Sequence, residues 1–145
     1  MKRLAHLARR FTGSLSRRPP SPADEAWARG FLLDAERMLW QRMSAVDRRH
    51  AVVVARRFAA AGEWTREEMA GALLHDVGKL ESSLGTIARV VATVVGPRGR
   101  RFHQYHQHEE VGAAMLAEAG SSPDTVALVR GEGRAASALH TADDV

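Results

Sequence analysis

Residues 86–95 read TIARVVATVV. Seven of these ten residues are β-branched, which makes the stretch a strand candidate by side-chain type. A strand needs others to pair with, and no second candidate occurs in the chain. Residues 86–95 are therefore expected to be helical, and the fold class all-α.

The surrounding sequence supports that reading. Downstream, "GPRGRR" (96–101) reads as a turn, and Val111, Met115 and Leu116 mark a helix closed by Gly120. "SSPDTVALV" opens with a Ser-Pro start signal, and a last short helix is expected over about 135–145. Upstream, Thr65 and Glu68 of "TREE" form a capping box. It starts a helix carrying Met69, Ala72, Leu73 and Val77, which Gly78 is expected to end. Val46, Val53, Val54 and Phe58 mark another helix, with Gly62 as its C′ residue. Trp27, Phe31, Leu32, Ala35, Leu39 and Met43 follow helical steps and predict one helix of about 20 residues after Ser21-Pro22. The expected architecture is a single-domain bundle of six or seven helices over residues 21–145. Residues 1–20 form a basic segment ending in the proline-rich linker "SRRPPSP".

Composition narrows the function classes. With 145 residues, 45% of them hydrophobic, the chain can bury a core and is not expected to be disordered. It has no cysteine, which excludes disulfides, zinc–thiolate sites and cysteine nucleophiles, and the expected location is cytoplasmic. The sequence pI near 10.6 is a property of the first 20 residues, which hold six basic residues and no acid. Residues 21–145 hold 15 basic and 17 acidic residues. With no interleaving of aromatic and basic residues, a nucleic-acid partner is not expected. No apolar run reaches the roughly 18 residues of a membrane span. Leu4, Leu7, Phe11 and Leu15 share one helical face, so residues 1–20 either dock on the domain's own core or lie on an anionic membrane surface.

Seven histidines occur. His6 and His140 read as ordinary surface residues, and His103 and His106 as part of a polar loop. His50 lies near the start of a helix in "VDRRHAVVVARR", and His75 adjoins Asp76 in "GALLHDVGKL". His108 opens "HEEVGAAML", and Asp143 lies in "ALHTADDV". Adjacent helical residues diverge by about 100°, so His75 and Asp76 can meet one point only in a groove between helices. A divalent cation is such a point. On spacing alone a solvated helix end explains the pair as well, because the intervals match no short ligand motif. Asp47, Glu109 and Glu110 are helix-start acids that suit the helix dipole.

The order His50 … His75-Asp76 … Asp143 resembles the H…HD…D signature of the HD-domain superfamily of metal-dependent phosphohydrolases. "DRRHAVVVARR" resembles its first ligand helix and "GALLHDVGK" its central segment. "HEEVGAAML" and "LHTADDV" resemble two later ones, so the resemblance covers residues from about 46 to 145. The lead-in "LSRRPPSPADEAW" is similar to that of a small bacterial subgroup, which brings no substrate with it. The resemblance implies His50, His75, Asp76 and Asp143 as metal ligands, with His108 a candidate fifth. A further histidine used by two-metal members is expected near 130–133, where this chain has Arg-Gly-Glu-Gly with Glu132 the only other donor. One metal is therefore favoured over two, with Mn, Fe, Zn, Mg, Co and Ni not distinguished. The implied reaction is hydrolysis of a nucleotide or related phosphate ester through metal-activated water. Asp76 and Lys79 would be the catalytic residues, and Lys79, Arg98, Arg100 and Arg101 the phosphate contacts. The alternative is a weakly active or inactive regulatory module that binds a metal or nucleotide.

Overall fold

The computed structural model describes residues 18–80 and 100–145, with the backbone alone over 100–107. Its elements are α1 (Pro22–Arg29), α2 (Asp34–Arg42), α3 (Ala45–Ala60), α4 (Arg66–Leu73), a 3-10 turn (Val77–Leu80), α5 (Arg100–Glu118), α6 (Pro123–Val129) and α7 (Ala136–Asp143). Among the described residues there is no strand, and the architecture is the expected all-α helical bundle. No described helix is long and apolar enough to cross a membrane. The TIARVVATVV stretch and the basic residues 1–17 lie outside the described residues.

The start signals work as read. Ser21 Oγ accepts from Asp24 N at 3.1 Å with Pro22 following, and Ser122 Oγ accepts from Thr125 N at 3.3 Å. Thr65 and Glu68 close the capping box, with Glu68 N on Thr65 Oγ1 at 3.1 Å and Thr65 N on Glu68 Oε2 at 2.9 Å. Such caps satisfy amides that have no partner inside the helix. Gly120 ends the α5 segment at φ +82, a conformation that favours glycine.

Three expectations are corrected. The single helix over Trp27–Met43 is two helices, α1 and α2, broken at Gly30–Leu33. The buried Glu36 carboxylate takes the Leu33 amide at 2.8 Å and the Ser121 hydroxyl at 2.9 Å, while Arg66 Nη1 donates to the Phe31 carbonyl at 2.8 Å. Glu36, three residues on, and Arg66, distant in sequence, thus take over hydrogen bonds a continuous helix would have made. α4 ends at Leu73, before the His-Asp pair rather than at Gly78. Gly78 instead permits contact: a Cβ there would lie 2.0 Å from the His108 carbonyl oxygen and 2.8 Å from Gly112 N. Gly62 is the C′ residue after the Ala61 C-cap, as expected, but without a positive φ; a Cβ there would meet the Trp64 ring at 2.8 Å. Finally, Arg100, Arg101, His103 and His106 lie in helix α5, not in a turn and polar loop. Arginine and glutamine are good helix formers, so the helix extends upstream of its apolar part.

The core is built from Trp40, Phe58, Leu73, Leu74, Val77 and Leu116, all fully buried, with smaller residues between them. Phe58 and Trp64 stack with centroids 4.4 Å apart. α4 packs on α3 and α6, α5 packs on the 3-10 turn and α6, and α3 packs on α7. These pairings bring the N-terminal half of α3, the end of α4 and the end of α7 to one place.

Candidate metal centre

His50 lies one turn into α3, preceded by the Ser44 cap, which fixes the helix start. Asp143 is the last residue of α7. Arg57, two turns after His50 on the same face of α3, donates to the Ala142 carbonyl at 3.3 Å and the Val145 carbonyl at 2.6 Å. That grip satisfies carbonyls at the open end of α7 and holds Asp143 against α3.

His75 and Asp76 occupy the turn between α4 and the 3-10 helix. There the His75 ring folds back, with Nδ1 2.7 Å from the Ala72 carbonyl. A carbonyl only accepts, so Nδ1 carries a proton and Nε2 is the nitrogen left to face the site. That Nε2 is buried and has no hydrogen-bond partner. It faces Asp76 Oδ2 at 3.5 Å and Asp143 Oδ1 at 3.6 Å. His50 Nε2 lies 2.8 Å from the same Asp143 oxygen, and the two rings are 5.9 Å apart between centroids.

Ligand atoms of His50, His75 and Asp143 all lie within 4.8 Å of one another. Donors that share one first-row ion at roughly 2.0–2.2 Å lie about 3.0–3.6 Å apart. The 3.6 Å between His75 Nε2 and Asp143 Oδ1 falls in that range and the 2.8 Å between His50 Nε2 and Asp143 Oδ1 lies just below it, and two imidazoles with a carboxylate and an orphaned Nε2 suit such an ion. Asp76, expected as the fourth ligand, is adjacent but held elsewhere: its Oδ2 accepts from Lys79 Nζ at 2.8 Å. Lys79 Nζ also lies 3.9 Å from Asp47 Oδ1.

The charges reinforce one another. The hydrogen bond from His50 and the nearby His75 imidazole hold the Asp143 carboxyl far below the usual carboxylate range. Burial alone would depress His75, but the Asp143 and Asp76 carboxylates and the Ala72 carbonyl outweigh it and raise its pKa. Burial works against ionisation of Asp76 too, and the nearby His75 and Lys79 more than offset it, so its pKa falls.

The centre opens on a cleft of about 490 Å³ whose lining includes His75, Asp76, Asp143, His108 and Arg130. His108 is exposed on that wall and outside the three-residue cluster. Arg130 is tied to Glu110 at 3.4 Å, and Glu132 is exposed. Of the three arginines expected to bind phosphate, Arg98 lies outside the described residues. Arg100 and Arg101 sit at the start of α5, where only the backbone is described. The sequence reading missed Arg57, the role of the Ala72 carbonyl and the contact between Asp47 and Lys79. Of these, Arg57 carried a signal, its seven-residue spacing from His50. No family model, curated protein or solved structure matches the chain.

Proposed function

We propose that the chain is a metal-dependent phosphohydrolase that cleaves a nucleotide or related phosphate ester, with one divalent cation held by His50, His75 and Asp143. The observation that carries this reading is the buried His75 Nε2. Its ring is locked by Ala72, its Nε2 has no hydrogen-bond partner, and it faces two carboxylates and a second imidazole. Leaving such a nitrogen unpaired costs free energy unless a ligand completes it. The HD-like order of the four residues supports the choice of reaction.

A bound divalent ion would supply Lewis acidity, making water nucleophilic near neutral pH and polarising a phosphoryl oxygen. The chain's own groups do the rest. Asp76 lines the cleft as an ionised carboxylate, suited to accept a hydrogen bond from the attacking water and orient it. Lys79, three residues on, keeps its proton and brings an ammonium to the phosphoryl oxygens as charge builds there. His108, on the cleft wall, adds a donor toward the ester.

Metal analysis of untagged protein, followed by a phosphatase screen over nucleotides, tests the reading. Asp76→Ala is expected to lower turnover by about 100-fold or more. Equal activity in wild type and variant would assign the turnover to a contaminant. A second reading, a metal- or nucleotide-binding regulatory module, is favoured by one feature: Asp76 is engaged by Lys79 and stands outside the cluster. Metal uptake without turnover of any phosphate ester selects it.

A further inference from the structure

The pairing of Lys79 with both Asp76 and Asp47 has a consequence for how the centre loads. Lys79 Nζ sits 2.8 Å from Asp76 Oδ2 and 3.9 Å from Asp47 Oδ1. Asp76 Oδ2 is in turn 3.5 Å from the open His75 Nε2. An ammonium and a divalent cation cannot both lie close to the Asp76 carboxylate without repelling each other. Lys79 has an alternative partner within a small movement of its side chain. Asp47 is on the third turn-defining position of α3, where Ser44 Oγ donates to its other oxygen, Oδ2, at 2.8 Å. Its Oδ1 is thereby kept on the Lys79 side. Both side chains are part-exposed, 43% for Lys79 and 29% for Asp47, so the ammonium has room to move.

We propose that Asp47 is a positioning residue, the second seat of the Lys79 ammonium, and that transfer of Lys79 from Asp76 to Asp47 frees Asp76 to complete the cation site. This rests on the metal reading above and deepens it. The Lys79 ammonium offsets the charge of Asp76, which reduces the repulsion between the Asp76 and Asp143 carboxylates on either side of His75 Nε2. On loading, the lysine shifts by about 1 Å toward Asp47, which closes the 3.9 Å gap to a hydrogen bond, and stays beside the cleft as a phosphate contact. Asp47 therefore acts through Lys79 and not on the cation itself.

The test is a double-mutant cycle on Co²⁺ affinity, read by calorimetry and by the visible Co²⁺ spectrum, in the full chain. Asp47→Asn keeps the hydrogen bond to Ser44 and removes the charge. Lys79→Gln removes the competing ammonium and is expected to tighten Co²⁺ by about threefold to tenfold. Asp47→Asn is expected to weaken Co²⁺ by a similar factor when Lys79 is present, and by less than twofold in the Lys79→Gln background. An equal loss in both backgrounds marks a plain charge effect and overturns the proposal, as does no loss in either. Absence of Co²⁺ binding by the wild type overturns the metal reading itself, and the inference with it.

Discussion

At the scale of single residues, His75 decides the site. Its identity was legible in "GALLHDVGKL", but the orientation of its ring was not, because that depends on the Ala72 carbonyl left open where α4 ends. Two of the shifted groups, Asp143 and His75, set the limits of the pH dependence expected in chelator. Asp143 is depressed, so its contribution to stability is complete above its ordinary value of 3.8 and is lost as pH falls below it. His75 is raised, so its contribution is complete below its ordinary value of 6.5 and is lost as pH rises through its higher folded value. Stability in chelator is therefore expected to peak in mild acid, between those two values. With a divalent cation present the peak is expected to move toward neutral or higher pH, because the ligand nitrogens must be unprotonated. Urea midpoints against pH, with and without Mn²⁺, check both parts; a single profile in the two conditions would count against a cation at this site.

At the scale of elements, the local signals were read well and the long-range ones were not. Ser21-Pro22, Thr65…Glu68 and Ser122-Pro123 act within one turn, so the sequence displays them in full. The break between α1 and α2 depends on Glu36, Arg66 and Ser121, which meet only after folding. Gly78 looked like a helix stop because glycine commonly ends helices; its actual constraint is the α5 backbone, which belongs to another segment. Gly78→Ala is accordingly expected to cost on the order of 3 kcal/mol, measured by urea unfolding, since backbone rather than a flexible side chain must move. Arg57→Ala is expected to loosen the end of α7 and weaken metal binding through Asp143, with Arg57→Lys recovering part of it. Arg134→Ala, which breaks the clamp on Glu68 away from the centre, provides the comparison. It is expected to lower stability without the same loss of metal affinity.

At the scale of the whole molecule, the candidate centre joins three parts of the chain: α3, the turn after α4, and α7. A cation there would cross-link them and bind the folded state alone. A concentration of 100 times the dissociation constant would add about 2.7 kcal/mol, a rise of roughly 5–10 °C in melting temperature. Differential scanning with Mn²⁺, Co²⁺ or Zn²⁺ against chelator measures it. The sequence by itself determined the all-α class, most helix starts and the candidate donor residues, because caps, periodicity and donor type are local properties. It also placed His50, His75, Asp76 and Asp143 as one set, through the order of segments similar to a known superfamily. Only the tertiary structure decided that three of those four converge while Asp76 is held by Lys79. It also decided that Asp47 stands ready beside that lysine. Distances of a few ångströms between groups on different helices are set by how the helices pack, and no spacing along the chain encodes them.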